Sequence, residues 1–397
     1  MGGIGGKAAA LLASLSIAYA GGYSVVYNFS GHNGDGAMPA SALIKDGAGY
    51  LYGTTSSGGY YPTGKGIVFR IAPDGTEKVL HRFCSLNNCT DGSDPYSAMV
   101  RDGAGNLYGT TYSGGTNDSA GTIFRLTSDG TYTVLHNFCS AAACGDGYSP
   151  VGDLIRDGSG NLYGTTYIGG ARNGGVVFKL TPDGTETVLH SFCSLTNCAD
   201  GHMPYGGVTL DSSGNLYGAT FIGGADNAGV VFKLAPDGTE TVLHNFCSLA
   251  NCADGGFPQD SMILDRSTGK LYGTTVFGGS GGLKCDAASS CGVVFEISPK
   301  GAETVLHSFD NADGGNPLGA LFMDRVGNLY GTTSSGGKND GGVVFKLSPD
   351  GTETVLHFFG GLSDGKWPRG GVISDNGSLY GTTLSGGAGG IVFSVRK

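Results

Sequence analysis

The segment "MPYGGVTLDSSGNLYGATFIGGADNAGVVFKLAPDGTETVLHNF", residues 203–246, carries four short strand-like runs separated by turn signals. Residues 206–210 form the first run, after a proline, and 215–221 the second. Residues 229–234 form the third and 240–246 the fourth. "DSSGN" joins first to second, and "APDGT" joins third to fourth. Asp-Gly in such a turn offers the positive φ that tight hairpins need. The pattern predicts four antiparallel strands and no helix.

Outward from this segment the phrase repeats. "LYG[TA]T" occurs seven times, starting at Leu51, Leu107, Leu162, Leu216, Leu271, Leu329 and Leu379, with spacings of 56, 55, 54, 55, 58 and 50 residues. Four strands in a period of about 50 residues point to propeller blades. The two ends of the chain decide how the ring closes. Residues 23–29, "YSVVYNF", match the fourth strand, whereas residues 390–397, "GIVFSVRK", match the third. The last period lacks a fourth strand, and the start of the chain has one to spare. The expected fold is all-β: a seven-bladed β-propeller with four antiparallel strands per blade, closed by an N-terminal strand that completes the last blade. Closure leaves no open edge to aggregate. A β-solenoid is the alternative, but an open stack does not predict the complementary ends. Within each second strand, Tyr52, Tyr108, Tyr163, Tyr217, Tyr272, Tyr330 and Tyr380 should pack between blades. The glycine after each tyrosine should let neighbouring sheets approach.

Composition agrees with this reading. Glycine is 76 of 397 residues, yet aromatic residues reach 10% and charged residues only 14%, unlike a disordered chain. The formal net charge is -10, with no basic run, so nucleic acid is not an expected partner. Residues 8–20 form an apolar run after Lys7, and Ala18-Tyr19-Ala20 fits a cleavage site. We expect a signal peptide at 1–20, and a single secreted or extracellular propeller domain, a monomer, at 21–397. A periplasmic or cell-surface location also fits. No later run is long and apolar enough to span a bilayer.

Ten cysteines fall into five close pairs: Cys84 with Cys89, Cys139 with Cys144, Cys193 with Cys198, Cys247 with Cys252, and Cys285 with Cys291. Four pairs share "FCSxxxC" just after the fourth strand, in the longer versions of that loop. Zinc would need two pairs at one centre, and these sit on different blades. Local disulfides are expected, in an oxidising compartment.

Six histidines, His81, His136, His190, His244, His307 and His357, share one repeat position, which Tyr27 takes at the N-terminus. A tyrosine can replace a buried hydrogen-bonding histidine but is a poor metal ligand, so a structural role is expected. Each period also has an aspartate before its proline: Asp35, Asp91, Asp146, Asp200, Asp254, Asp313 and Asp364. These could form a calcium-binding ring at one mouth of the axis. The favoured reading is that each caps its own loop.

Two loop sets share one face: the cysteine loops and the glycine-rich loops between second and third strands. Binding should use this long-loop face. Residues that vary there are the better candidates, namely Trp367, Tyr96, Tyr148, His202, Tyr205, Phe257, Lys366 and Arg369, with Asp94, Gln259, Phe277, Tyr60 and Tyr61 beside them. Aromatic and polar side chains at a concave mouth suit sugar stacking or peptide capture. "GGSGG" at 278–282 matches G-x-S-x-G in form but has no following helix.

Together, "GNLYGTT", "GGVVFKL", "PDGTETVLH" and the "DGxxP" segment resemble the Gloeo_Verruco tandem-repeat proteins of bacteria over essentially the whole mature chain. More distantly, the order of motifs is similar to NHL-type propeller repeats. The first resemblance implies an extracellular or surface protein of unassigned activity. The second implies that the proline-led strand lies nearest the axis. Neither motif brings catalytic residues or a cofactor. The expected function is a secreted binding module for a glycan, peptide or surface protein. The alternative is a propeller enzyme of lactonase, lyase or glycosidase type, with its site at the axial mouth.

Overall fold

A computed structural model describes residues 22–59, 64–280, 291–361 and 363–397. The leader-like segment 1–20, Tyr60, Tyr61 and Cys285 lie outside the described residues, and with them the pairing expected for Cys291. Seven four-stranded antiparallel sheets form the seven blades of a propeller. In the fourth blade the strands are Thr209–Leu210, Leu216–Thr220, Val230–Leu234 and Glu240–Asn245, paired in that order. The described helical residues are short 3-10 turns such as Thr196–Cys198, inside the cysteine loops.

The ring closes as the ends require. Blade 7 runs Ile373–Asp375, Ser378–Thr383 and Ile391–Arg396, and the N-terminal strand Tyr23–Asn28 completes it. Tyr23 pairs with Val395, Val25 with Phe393 and Asn28 with Ile391. A bulge between Val25 and Tyr27 repeats the one that every other fourth strand makes, for example opposite Val231 and Phe232. The N-terminal strand therefore copies the irregularity of a fourth strand as well as its sequence.

Apolar packing lies in the seams between blades. The third strand buries Val230, Val231 and Phe232 completely. Phe232 meets Phe192 of the preceding blade edge to face, with ring centroids 5.0 Å apart. The second-strand glycine serves this ring. A Cβ on Gly218 would lie 2.5 Å from Phe232 Cζ, its cross-strand partner. Room is thus made for a phenylalanine of the same blade, rather than for the backbone of the next sheet as the sequence suggested. The second-strand tyrosine faces the other side and packs into the seam with the next blade, Tyr217 beside Phe246 and Phe295, as expected; its hydroxyl donates to the aspartate of the first hairpin turn, Asp211, at 3.1 Å.

The four described disulfides are local: Cys84–Cys89, Cys139–Cys144, Cys193–Cys198 and Cys247–Cys252. Their loops fold against the second-to-third loops of the blade that follows. Gly224 N–H donates to Cys198 O at 3.0 Å, and His202 N–H to Ile222 O at 2.8 Å. Both loop sets therefore share one face. The opposite face carries the short hairpin turns.

Candidate binding site at the axial mouth

The residues just after each blade's proline line a common well on the axis. Every blade gives one: Ala40, Tyr96, Val151, Tyr205, Gln259, Leu318 and Arg369. The next two positions are small in most blades, because the backbones nearly touch there. A Cβ on Gly206 would lie 2.4 Å from the Asp260 carbonyl carbon, and one on Gly370 would lie 2.5 Å from that of Ser41. The well holds only about 80 Å³, against roughly 300–1,000 Å³ for ordinary small-molecule sites. Anything larger than a few waters rests on the mouth rather than entering it.

Two blades break the small-residue rule. Asp153 of blade 3 and Asp260 of blade 5 stand where other blades have alanine, serine or glycine. Asp153 Oδ1 accepts the Ala98 N–H at 2.6 Å, and Asp260 Oδ1 accepts the Ser261 N–H at 2.6 Å. The Ser261 side chain lies beside both carboxyls, and its Oγ accepts the Gly207 N–H at 2.9 Å. Both carboxyls are open to the well yet enclosed by protein. Burial raises the Asp153 pKa, partly opposed by those hydrogen bonds. Burial, and then the charge of Asp153, raise Asp260 well above the carboxylate range. Two like charges this close resist ionising together.

Aromatic rings form an arc over blades 3 to 5. Tyr167 meets Tyr205 at 5.6 Å between centroids, Tyr205 meets Phe221 at 6.2 Å, Phe221 meets Phe257 at 5.4 Å, and Phe257 meets Phe277 at 5.8 Å. In blade 2, Tyr96 meets Tyr112 edge to face at 5.7 Å. The second partner in each blade comes from the residues that follow LYG[TA]T. The arc is therefore built where that strand runs out toward the mouth.

The residue before each proline has an unusual backbone. Met38, Asp94, Ser149, Met203, Phe257, Asn316 and Trp367 all have φ between 52° and 59°. Each is held there by a pair of backbone bonds: Trp367 N–H donates to Gly341 O, and Trp367 O accepts from Leu384 N–H. Glycine adopts this conformation most easily, and other L-residues there are strained. Elsewhere the chain gives such positions mainly to glycine, asparagine, aspartate or disulfide cysteine. Among the described residues, the only Met, Phe and Trp side chains at positive φ are these pre-proline ones.

The sequence-derived candidates separate by radius. Tyr96, Tyr205, Gln259 and Arg369 line the mouth, and Phe257 belongs to the arc. Trp367 stands one step out and is 49% exposed. Tyr148, His202 and Lys366 lie two residues before their prolines and pair with the extension of the second strand, opposite Ile168, Ile222 and Ser385. Tyr148 is tied down, its hydroxyl donating to Asp118 O at 3.2 Å. Sequence reading missed Asp153, Asp260, Tyr112, Tyr167 and Phe221. Aligning the repeats column by column exposes them: Asp153 and Asp260 break columns of small residues, and Tyr112, Tyr167 and Phe221 are the aromatic members of a variable column.

The repeated aspartates are not gathered at the mouth. Each is bound into its own loop: Asp200 Oδ2 accepts the Ser194 N–H at 2.8 Å and the Ser194 hydroxyl at 2.7 Å. Asp91, Asp146 and Asp254 repeat this with Ser85, Ser140 and Ser248. Asp35, Asp313 and Asp364 accept the N–H of Ser30, Asp310 and Gly361. Among the described residues, no three His, Cys, Asp or Glu side chains are arranged to hold a metal ion. Each histidine lies beside the aspartate of its own loop, 2.9 Å away for His307–Asp313 and 3.3 Å for His136–Asp146. A fourth-strand glutamate of the next blade joins four of these clusters, and Glu77 lies likewise beside Asp35 and Tyr27. Burial first, then the nearby aspartate, raises Glu77, Glu186, Glu240, Glu303 and Glu353 to about 7. In two seams a tyrosine replaces the glutamate and stacks on the histidine: Tyr132 on His81 at 3.7 Å and Tyr23 on His357 at 3.8 Å.

The Gloeobacter/Verrucomicrobia repeat matches residues 12–199 and 193–393. The chain belongs to this repeat family. No curated protein matches its sequence significantly. Among solved structures, virginiamycin B lyase from Staphylococcus aureus superposes with a TM-score of 0.57 at 12% identity, over 91% of this chain and 95% of that one. The extracellular domain of a B. thetaiotaomicron protein assigned as a one-component system gives a TM-score of 0.58 at 12% identity, over 95% of this chain and 40% of that one. At such identities the likeness concerns the propeller fold alone. No helix among the described residues is long and apolar enough to cross a membrane. The four disulfides of this repeat protein suit an extracellular setting.

Proposed function

We propose that this chain is a secreted, monomeric binding module that holds a saccharide across the axial mouth of its long-loop face. The observation that carries the reading is the aromatic arc of Tyr167, Tyr205, Phe221, Phe257 and Phe277. The CH-rich face of a pyranose is apolar and lies flat on such rings, while its hydroxyls find Gln259, Arg369 and the tyrosine hydroxyls at the mouth. The shallow well supports surface binding over engulfment. The apolar leader 8–20, with its Ala18-Tyr19-Ala20 site, and the disulfides support export. A glycan and peptide array should give saccharide hits that Tyr205→Ala weakens at least about tenfold. Hits confined to peptides, or equal binding by Tyr205→Ala, would count against the reading.

A second reading rests on Asp153 and Asp260. Two enclosed carboxyls that resist ionising together can serve as acid and base. Under this reading the chain turns over the bound saccharide at the mouth. Incubation of array hits should then release product, and Asp153→Asn or Asp260→Asn should abolish release while sparing binding. Hits recovered unchanged would leave the binding module alone.

A further inference from the structure

A second cavity, of about 240 Å³, opens on the opposite, short-turn face in the cleft between blades 1 and 2. Three cations from three strands line it: Arg70 of the strand Ile67–Ile71, Lys78 of Glu77–Arg82 and Arg101 of Val100–Arg101. Tyr52 forms one wall, and Thr127, Ser128 and Asp129 of the blade 2 turn form the lip. Arg70 lies over the Tyr50 ring at 4.4 Å and Arg101 over Tyr52 at 5.9 Å. Among the described residues, none of the three side chains has a hydrogen bond or an ion pair. Two carboxylates are near. Asp46 accepts the Tyr52 hydroxyl at 3.0 Å and feels the Arg101 charge, and Asp129 is bonded to Thr127 and Thr131. The cleft keeps one net positive charge, and three sets of N–H donors are unused, in a chain of net charge -10.

The repeat supplies an internal control. The equivalent cleft between blades 2 and 3 has the same walls, Tyr108, Arg125 and Arg156, but holds only about 90 Å³. Two residues make the difference. Pro182 stands where blade 2 has Ser128, and it fills the lip: a Cβ on Gly160 would lie 3.3 Å from Pro182 Cγ. Thr133 stands where blade 1 has Lys78. Other blades follow the filled pattern, with Pro73, Pro236, Pro299 and Pro349 at the turn and Thr187, Thr241, Thr304 and Thr354 in the strand. The next clefts also lose the second arginine, because Leu210, Leu264 and Met323 take its place. The two departures from the column together open a cationic space that the neighbouring cleft lacks.

We propose that the cleft between blades 1 and 2 binds a small ligand through a phosphate or sulfate group, free or as a monoester. Two guanidinium forks can grip such an oxyanion in two directions, and the lysine adds a mobile point charge. Ser128 offers a hydroxyl donor, and the Tyr52 ring provides a flat wall for the body that carries the anion. The site does not depend on the saccharide reading of the other face.

Calorimetric titration of the full chain at low ionic strength, with inorganic phosphate, inorganic sulfate, glucose 6-phosphate and glucose, tests this directly. The oxyanions should bind, singly or as the ester, and glucose should not. Lys78→Thr should weaken binding about fivefold to tenfold, and added salt should do the same. Ser128→Pro should fill the cleft and remove binding. Both variants copy residues that other blades carry, so circular dichroism should show the fold kept. Tyr205→Ala on the far face should leave oxyanion binding unchanged. Failure of every oxyanion to bind, or undiminished binding by Ser128→Pro, would overturn the assignment.

Discussion

Blades 4 and 5 build a seam between them and a stretch of mouth from the same turns of chain, yet the two regions differ in kind. In the seam, Phe246 meets Phe295 at 5.1 Å and 65°, almost as Phe192 meets Phe232 at 5.0 Å and 62° one blade earlier. His244, Asp254 and Glu303 repeat His190, Asp200 and Glu240. At the mouth, Tyr205 of blade 4 gives way to Gln259, and Gly206 to Asp260. Sevenfold identity marks positions whose cost of change is paid in stability. Departure from the column marks positions that stability leaves free, where binding and chemistry can be placed.

The seam should break most severely. Phe232→Ala removes a fully buried ring from between two blades. It should cost about 3–5 kcal/mol in chemical unfolding. Tyr205→Ala at the mouth should cost well under half of that. Equal losses would erase the distinction between the two regions.

Seam electrostatics give a smaller effect with a definite sign. The folded chain holds Glu186 at about 7, whereas the unfolded residue titrates near 4.5. The folded state therefore binds the extra proton, and the contribution of Glu186 to stability falls as pH rises from about 4.5 to about 7. His136, His190, His244 and His357 act the other way. Burial lowers them, so their contribution is present above about 6.5 and is lost as pH falls. Glu186→Gln removes one falling contribution. Asp146, nearby, can accept from the new amide. Above pH 7 the variant should be more stable than the parent, by on the order of 1 kcal/mol because solvent screens a half-exposed group. The gain should vanish near pH 4.5. Thermal melts across that range check it, and a gain independent of pH would refute the assignment.

Strong local signals made the ring legible in the sequence. Seven copies of LYG[TA]T set the blade count, and the unmatched ends set the closure, since each is a comparison of strings. Short cysteine spacing made the four described disulfides equally plain. The first strand was over-read: residues 206–210 looked continuous, but only Thr209–Leu210 joins the sheet. Gly206 and Gly207 instead run along the axis against the backbones of Asp260 and Asp153, a contact that no local pattern encodes. The mouth was legible in part. Tyr96, Tyr205, Phe257 and Arg369 stood out beside their prolines. Phe221 looked like the last residue of a strand, and Asp153 and Asp260 fall at the start of the run read as the first strand, where neither stood out. The cleft between blades 1 and 2 escaped notice because its face carries only short, uniform turns. A single serine for proline is visible only against the other copies.

The gentlest substitution is also the sharpest. Trp367 holds φ at 58°, where glycine rests without strain, and its indole is 49% exposed. If the side chain packed the structure, Trp367→Gly would destabilise it as core truncations do. On the proposed reading the indole is displayed beside the mouth, on a strained backbone that main-chain hydrogen bonds hold in place. Trp367→Gly should therefore leave the melting temperature unchanged or slightly higher, the relief of a left-handed backbone being worth up to about 1 kcal/mol. Saccharide binding on the long-loop face should fall with it. A variant that melts several degrees lower would return Trp367 to the packing residues, and the mouth would lose its most exposed ring as a ligand contact.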